Sequence, residues 1–404
     1  MFGCREVCHP GLSPKTKVSA DPRRPLQSEA GELQWEASQF NAPVVARIVI
    51  PAFKASRTIR SVVEAVLQSQ DAPHFEIVVV DDGGNDDLPK TLFGAPVEIV
   101  CTGGSGSAAV ARNRGSLGFG GRFLVFIDAD VVVDSLCLKR LLQPLQDGQA
   151  EATVGNYSKD VVGMSFASRY KQLYISRIYQ RQSGYLRNDF WTAVSAMDAA
   201  VFNQLNGFDT HFRGAAGEDE ELGIRLTRTG SRIQAVPEAL GHHRNSLSVP
   251  NLLRNDWRKG RIAMDNYLHR DKSISDNRHA TRRDMLAVAC ATAVGIAALA
   301  LVLGRSPSLT LAAGTLALGY ILTRIDILRV FASQGIWFVV RAAGLMFLLD
   351  LVRATCVAAG LAPRPLRSAA KAAAPSRHAN TGASVHHTKN RAARWSLPTW
   401  LHLP

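Results

Sequence analysis

Residues 123–133 read FLVFIDADVVV, an unbroken apolar run followed by two aspartates that a single alanine separates. Such a run is typical of a strand that is covered on both faces, as in the middle of a parallel sheet. Ligands of α/β folds bind at the carboxyl ends of these strands, which is where Asp128 and Asp130 are expected. Two carboxylates there favour a divalent cation that also binds substrate phosphates. An acidic surface turn would leave the same short pattern.

Strands and helices alternate on the amino-terminal side of this run. The predicted strands are 44–50, 75–80 and 97–100, and the predicted helices are 58–69 and 108–116. The alternation predicts an α/β domain over residues 43–280, with a mostly parallel sheet flanked by helices. Residues 1–42 are rich in Pro, Ser, Arg and Glu and show no apolar period, so they are predicted to form a disordered leader.

Two apolar segments beyond this domain predict a membrane hairpin. Residues 285–304 carry no charge over 20 positions, enough to cross a bilayer core of about 30 Å, and residues 307–323 form the return leg. Arginines lie just outside both legs, so the positive-inside rule places both ends of the hairpin, and the soluble domain, in the cytoplasm. The predicted location is the cell membrane, with a multi-pass anchor.

A third apolar segment, residues 336–360, is interrupted by Arg341, Asp350 and Arg353. The tail 361–404 carries seven Lys or Arg and no acid, and it is predicted to be disordered and basic. Because a third span would place this tail outside the cell, an interfacial or re-entrant helix is favoured, with a third span as the alternative.

Composition narrows the classes of partner. The net charge of +13 and a pI near 9.8 suit an anionic membrane, a phosphorylated ligand or nucleic acid. The basic residues gather near the membrane segments and the tail rather than on one aromatic face, so nucleic acid is not an expected partner. The six cysteines show no paired spacing, which indicates neither a disulfide framework nor a zinc site.

Five motifs in order resemble the family 2 glycosyltransferases of the GT-A fold. They are VIPAFKASRTI (49–59), EIVVVDDGG (76–84), AVARNRG (109–115), FLVFIDADV (123–131) and GFDTHF…GEDEELGIRL (207–226). The resemblance implies a Rossmann-like GT-A domain, followed here by C-terminal membrane helices. It also implies a nucleotide diphosphate sugar as donor. The chain departs from the family where Gly-Gly-Asn follows Asp81-Asp82 in place of the usual Gly-Ser-Thr.

The same resemblance assigns the donor site. Pro51, Ala52 and Phe53 would wrap the nucleobase, and Asp82, with Asp81, would accept its imide N–H. Arg112 would lie near the nucleotide. Asp128 would bind ribose or metal, and Asp130, with His243 or His242, would bind Mn²⁺ or Mg²⁺. Each has a plainer alternative: a turn cap for the aspartate pair, a helix-face arginine for Arg112, and a polar loop for the histidines. The glycine-rich residues 103–106 are interpreted as a flexible loop rather than a phosphate cradle.

The catalytic base is assigned by resemblance to Asp219, next to Glu218 at a predicted helix N-terminus. The helix N-terminus is expected to lower the pKa of this carboxyl and keep it ionised. Helix capping by the acidic run is the alternative. Arg258 and Lys259 are expected near the diphosphate, or equally on lipid headgroups.

These features predict a metal-dependent inverting glycosyltransferase that acts at the cytoplasmic membrane face. Its acceptor is expected to be lipid-linked or a growing glycan of the cell envelope. A processive polysaccharide synthase is one alternative, although no Q-x-x-R-W motif is present. A non-catalytic sugar-nucleotide-binding or scaffold protein of the same fold is the other.

Overall fold

The computed structural model of the chain describes residues 16–18, 44–181, 184–212, 217–244, 246–269, 281–304 and 306–361. The predicted tail therefore lies outside the described residues, apart from Leu361 at the end of a helix. Most of the predicted leader lies outside them as well. The three leader residues that are described, Thr16–Val18, form an edge strand paired with Val97–Ile99.

The strands and helices are bounded as follows. The strands are β1 Thr16–Val18, β2 Ala46–Ala52, β3 Phe75–Asp81, β4 Val97–Cys101, β5 Phe123–Ile127, β6 Val131–Val133, β7 Ala152–Tyr157, β8 Gly184–Leu186, β9 Val194–Asp198 and β10 Ile233–His243. The helices are α1 Ile59–Leu67, α2 Leu88–Thr91, α3 Ala108–Ser116, α4 Cys137–Gln146, α5 Phe166–Gln180, α6 Ala199–Gln204, α7 Glu218–Arg228, α8 Val249–His269, α9 Arg282–Leu303, α10 Pro307–Ala332 and α11 Ile336–Leu361.

The strands form one mixed sheet in the order β1-β4-β3-β2-β5-β9-β7-β10-β6, with β8 paired to β10. Strands β4, β3, β2 and β5 run parallel, β9 is antiparallel to both of its neighbours, and β10 runs parallel to β7. The prediction of a mostly parallel sheet flanked by helices is confirmed. The carboxyl ends of β2, β3 and β5 therefore meet at one edge, as the sequence required.

Apolar side chains cover both faces of this sheet, which explains why its strands read as continuous hydrophobic runs. On β2, Ile48 packs into the core on one face and Val49 into the core on the other. Successive strand residues point to opposite faces, so a strand buried on both sides needs an apolar residue at every position. The core that contains Val49 continues past α5 into helices α10 and α11.

Among the described residues, three helices are long and apolar enough to cross a membrane: α9, α10 and α11, with mean hydropathy of 2.6, 1.5 and 1.7. The third is one continuous helix of 26 residues, about 39 Å in length. The interfacial or re-entrant helix stays a prediction, with a third span as its alternative. Part of α10 and α11 packs directly on the α/β domain, because the ring of Phe331 lies 5.3 Å from that of Tyr170 and the ring of Phe338 lies 5.4 Å from that of Phe166, both on α5.

Three of the charges in the apolar helices, Arg324, Asp350 and Arg353, are paired with one another. Arg324 and Asp350 are both fully buried, and the Arg324 guanidinium donates to Asp350 at 2.8 Å and also to Asp284 of α9. Arg353 donates to Asp350 at 2.9 Å and to Asp256 of α8 at 2.9 Å. The network joins α8, α9, α10 and α11. Buried charges are tolerated where partners and hydrogen bonds compensate their lost hydration.

Candidate active site

One buried arginine joins two of the predicted site motifs. The Arg112 guanidinium of α3 donates to Glu218 Oε1 at 2.7 Å and to Asp128 Oδ1 at 3.0 Å. Arg112 and Glu218 are 3% and 2% exposed, so this ion pair is shielded from water. The D-x-D motif and the acidic start of α7 therefore belong to one cleft, although 90 residues of sequence separate them.

A second connection fixes the GFD motif to the same helix. Phe208 donates its backbone N–H to Asn113 Oδ1 at 2.8 Å, and its carbonyl accepts from Asn113 Nδ2 at 2.8 Å. The helix packs closely on the sheet at Gly115, where a Cβ would meet Val49 Cγ1 at 2.5 Å. The AVARNRG motif thus supplies Arg112 for the ion pair, Asn113 for contact with the GFD loop and Gly115 for close packing on the sheet.

Asp130 lies beside His243, the last residue of β10. His243 Nε2 and Asp130 Oδ2 are 3.4 Å apart, and the Arg244 N–H donates to the Asp130 carbonyl at 2.7 Å. Burial, followed by the charge of Lys171, lowers the pKa of His243 to about 3, so the imidazole is neutral. His242 points elsewhere, since its Nε2 lies 2.7 Å from Asp134 Oδ1. Of the two histidines, His243 is the one that faces the D-x-D motif.

The donor set at Asp130 fits a cation that arrives with a phosphate ligand. No cluster of three carboxylate, imidazole or thiolate groups suited to a metal occurs within the described part of the chain. Asp130 and the neutral His243 supply oxygen and nitrogen ligands, while Asp128 Oδ1 is engaged by Arg112. Mg²⁺ commonly takes one or two carboxylates and completes its shell with water and substrate phosphates, so these residues fit such a cation.

The carboxylate of Asp82 organises the glycine-rich loop. Asp82 is buried, and Oδ1 accepts from the hydroxyl of Thr102 and from both the N–H and the hydroxyl of Ser105, at 2.9 and 2.6 Å. Oδ2 accepts from the Ser107 N–H at 3.1 Å. Gly83, at φ +78°, lies against Gly104, where a Cβ would meet its Cα at 2.7 Å. The loop interpreted as flexible is held to the end of β3 by these contacts.

Asp81 is the more open carboxylate of the pair. Its Oδ1 accepts from the Gly83 N–H at 2.9 Å, and partial burial raises its pKa. Asp81 pairs in register with Ala52 at the end of β2, and Phe53, the next residue, is 57% exposed. An exposed ring, a short strand end that includes Pro51, and an acceptor carboxylate therefore lie side by side, as a nucleobase site requires. Their role in binding a base stays a prediction.

The environment of Asp219 differs from the sequence expectation. The helix N-terminus was expected to lower its pKa, but burial and the neighbouring carboxylates Glu218 and Glu220 raise the pKa to about 8. Its Oδ1 accepts from the Glu220 N–H at 3.0 Å. The expectation was wrong because the helix-terminus effect is small beside desolvation and two like charges. Glu218 has one buried oxygen, Oε2, without a hydrogen-bond partner among the described residues.

Two lysines of the cleft carry charge near these acids. Lys171 of α5 is close enough to Asp130 and Asp128 to be stabilised by them, and sequence reasoning missed it within a long basic stretch. Lys259 of α8 acts on the pKa of Asp219 and His243 as well. Its neighbour Arg258 is exposed on the same helix, and its assignment to the diphosphate stays a prediction.

Comparison with known families agrees with this architecture. Residues 47–205 match the model described as glycosyl transferase family 2, and residues 177–246 match one described as the N-terminal domain of galactosyltransferase. Together the matched residues contain every strand from β2 to β10 and the acidic start of α7.

The named relatives include proteins described as glycosyltransferases. Glycosyltransferase GlyG of Streptococcus pneumoniae serotype 4 is 27% identical over 212 residues, which cover 48% of this chain and 68% of the relative. Succinoglycan biosynthesis protein ExoO of Rhizobium meliloti is 25% identical over 253 residues, which cover 56% and 70%. Among solved structures, the mannosyltransferase PcManGT from Pyrobaculum calidifontis in complex with GDP-Man and Mn²⁺ has a TM-score of 0.54 at 18% identity. The match covers 79% of this chain and 88% of that one.

Proposed function

We propose that this chain is a family 2 glycosyltransferase of the GT-A fold and that it moves a sugar, with inversion, from a nucleoside diphosphate sugar. In this proposal the enzyme depends on a divalent cation, Mn²⁺ or Mg²⁺. It works at the cytoplasmic face of the cell membrane, on a lipid-linked acceptor or a growing glycan.

The observation that carries the proposal is the ion pair from Arg112 to Asp128 and Glu218. Inverting transfer needs a donor-binding group and a base on opposite sides of one anomeric carbon. The Arg112 bridge holds the D-x-D motif and the acidic start of α7 together in one cleft. A protein that only bound a sugar nucleotide would have no need for Asp219 beside this pair.

The donor class is supported from two sides. Phe53 and Asp81 together offer a stacking surface and an acceptor for a base N–H. The structural neighbour from Pyrobaculum calidifontis is described as a complex with GDP-Man and Mn²⁺, and its likeness to this chain lies in the fold. We extend a nucleoside diphosphate sugar and a divalent cation to this chain on those grounds.

The proposed chemistry divides between the cation and the side chains. A cation bound at Asp130 would neutralise charge on the departing diphosphate. Asp219 takes the proton of the acceptor hydroxyl as that oxygen attacks. Because the pKa of Asp219 is raised, the carboxyl is protonated in much of the empty enzyme, and it must ionise before it can act. Glu218 holds Arg112 through Oε1 and offers Oε2 to a ligand hydroxyl.

The proposal of an acceptor at the membrane is supported by the core that the α/β domain and the apolar helices share. Phe331 and Phe338 pack against Tyr170 and Phe166 of α5, and Asp256 of α8 pairs with Arg353 of α11. Helix α8, which contacts α11 in this way, begins six residues after His243 at the end of β10. A hydrophobic acceptor would reach this cleft without leaving the bilayer surface.

A substitution at the proposed base tests the function. The full-length protein in detergent is given a panel of nucleoside diphosphate sugars with Mn²⁺, and release of the nucleoside diphosphate is measured. Asp219→Asn is expected to lower turnover at least 100-fold, in line with the loss of a general base, and to leave donor binding unchanged. Asp71→Asn is the matched control, since Asp71 lies in the loop before β3, at the opposite end of the sheet.

Two rival functions are decided by the same measurement. A non-catalytic binding or scaffold protein would bind a donor with Mn²⁺ yet release no nucleoside diphosphate. A processive polysaccharide synthase would release the nucleotide and extend one acceptor by many sugars, which mass spectrometry of the product separates from a single transfer.

A further inference from the structure

A cavity of about 370 Å³ lies where α5 meets the charged end of α10. Its walls include three cations, one carboxylate and two apolar side chains: Lys159, Arg177, Arg329, Asp326, Leu173 and Val330. Ligand pockets commonly have volumes of about 300–1,000 Å³, so the cavity is large enough for a small polar group. None of the residues assigned to the donor site or to the proposed base lines it, and the cavity is therefore separate from the D-x-D cleft.

The cations of this cavity exceed the acid that could neutralise them. The Asp326 carboxylate is already engaged by two other arginines, because Arg181 donates to its two oxygens at 2.7 and 3.1 Å and Arg283 lies 3.1 Å from Oδ1. Arg177 Nε is left 3.4 Å from Asp326 Oδ2, and this buried nitrogen has no hydrogen-bond partner among the described residues. The cavity therefore keeps an excess of positive charge.

The other two cations of the cavity are unpaired. Lys159 and Arg329 are exposed, and neither makes an ion pair or a side-chain hydrogen bond within the ranges that the structure describes. Lys159 and Arg177 also line a second cavity, of about 710 Å³, so they form part of the wall between the two. Three cations that share one already engaged carboxylate favour a ligand with negative charge.

The position of the cavity along α10 indicates which anion would reach it. Asp326 and Arg329 lie four and seven residues beyond Leu322, about 6 and 10 Å along the helix axis. The headgroup layer outside a bilayer core is about 5–8 Å deep. A bilayer that covers the apolar part of α10 would therefore bring its headgroups to the level of the cavity.

The exposed apolar face of α10 leads to the same place. Leu318 and Leu322 are exposed, and Arg329 follows Leu322 by two helical turns, so the three side chains lie on one face of the helix. Acyl chains packed on the two leucines would present their headgroup to Arg329. Leu173 and Val330 supply the apolar part of the cavity wall.

We propose that the cavity lined by Lys159, Arg177 and Arg329 binds the phosphate of an anionic membrane lipid. Because the cations exceed the charge of Asp326, a headgroup with net negative charge is favoured over a zwitterionic one. The bound lipid would connect α5 of the α/β domain with α10 and the bilayer, and so it would fix how the domain lies on the membrane. The site needs neither the donor nor the acceptor of the proposed function.

Lipid binding to the full-length protein in detergent tests this site. The probes are dioleoyl phosphatidylglycerol, which is anionic, dioleoyl phosphatidylcholine, which is zwitterionic, and inorganic phosphate as a soluble competitor. Native mass spectrometry over a lipid titration measures the fraction of protein that retains lipid. The variants are Lys159→Gln, Arg329→Gln and the double variant. The matched control is the double variant Lys90→Gln with Arg114→Gln, which removes the same charge from two exposed residues outside the cavity.

Each single variant is expected to weaken phosphatidylglycerol binding about 5-fold and the double variant about 30-fold, as the usual attraction of one and of two basic residues to anionic lipid implies. The control should bind within about twofold of wild type, and phosphatidylcholine should bind wild type about 10-fold more weakly than phosphatidylglycerol. Melting temperatures in lipid-free detergent establish that each variant is folded. If the double variant melts below wild type, the single variants decide the outcome, since each loses only an exposed side chain without a partner.

Three results would overturn the lipid site. One is wild-type affinity in the cavity variants, or an equal loss in the control, because then the protein's total charge and not the cavity would attract the lipid. Another is equal affinity for phosphatidylcholine and phosphatidylglycerol. The third is displacement of phosphatidylglycerol by an equal concentration of inorganic phosphate, which would make the ligand a soluble phosphate.

Discussion

Removal of Arg112 exposes the role of the central ion pair. In Arg112→Leu, the buried carboxylate of Glu218 loses the guanidinium that lies 2.7 Å away, and Asp128 loses its partner at 3.0 Å. We expect the catalytic domain to be strongly destabilised, because an uncompensated buried charge costs far more than the pair itself contributes.

The size of this effect follows from the burial of both partners. Breaking a buried pair by removal of one partner costs about 3–5 kcal/mol. In a domain of 150–250 residues, 1 kcal/mol corresponds to a melting-temperature shift of about 2–4 °C, so a fall of about 6–20 °C is expected. The double variant Arg112→Leu with Glu218→Leu is expected to recover much of this loss, since an apolar pair of similar volume needs no compensation.

Thermal unfolding of the detergent-solubilised protein, followed by intrinsic fluorescence, measures these shifts. Arg114→Leu is the matched control, because Arg114 lies on the same helix and is exposed. We expect the control to melt within about 2 °C of wild type, as surface substitutions usually do. The double variant completes a mutant cycle that isolates the coupling between Arg112 and Glu218.

The reasoning would be refuted by either of two results. One is an Arg112→Leu protein with the same melting temperature as Arg114→Leu. The other is a double variant whose shift equals the sum of the two single shifts, because independent sites are additive within about 0.5 kcal/mol.

Three further predictions concern the carboxylates and the membrane helices. The folded carboxyl of Asp219 keeps its proton to about pH 8, whereas the unfolded one loses it near pH 4, so stability should fall across that range. Melting temperatures measured against pH, with EDTA present, should fall less steeply for Asp219→Asn than for wild type. An equally steep fall would contradict the raised pKa of Asp219. Asp82→Ala should lower the melting temperature more than Asp81→Ala, because Asp82 accepts four hydrogen bonds from the 102–107 loop; equal melting temperatures would contradict that role. Arg324→Leu leaves the buried Asp284 and Asp350 without the arginine that they share, and it should reduce the yield of folded protein in detergent extracts. Arg324→Lys should restore part of that yield. A wild-type yield of Arg324→Leu would refute the proposed role of this network.

The fold was predictable from the sequence because its signals are local. The run 123–127 is apolar at every position, and its two-sided burial follows from that pattern alone. The ends of β2, β3 and β5 then had to meet, since parallel neighbours end at one edge. The apolar segment of α9 was equally predictable, because its length and its absence of charge over residues 285–303 are sufficient signals.

The partners within the site were not predictable, because they depend on distances between remote segments. Arg112 was expected on the nucleotide, yet two of its nitrogens bind Asp128 and Glu218. Asp82 was expected to face the base, yet its oxygens hold the loop that follows β4. A single sequence shows which side chains are charged but not which opposite charge is nearest, and desolvation depends on the packed neighbours.

The same dependence explains the error at Asp219. Its place at the start of α7 could be predicted, and from that place a lowered pKa followed. The raised pKa comes from burial and then from the like charges of Glu218 and Glu220, and the pKa of Glu220 is itself raised to about 7. Lys171 was not predicted for a similar reason, since nothing in the sequence of the basic stretch 165–191 shows which of its basic residues is partly buried.

The packing of α10 and α11 on α5 sets a limit on how the enzyme can be shortened. Truncation before Arg282, a natural choice for producing a water-soluble catalytic domain, would uncover the side of α5 that Phe331 and Phe338 now cover. It would also strip Arg181 of its carboxylate partner Asp326, 2.7 Å away. Such a fragment would expose an apolar surface with an unpaired arginine and should aggregate. Purification of this protein is therefore best begun from the full-length chain in a detergent or nanodisc.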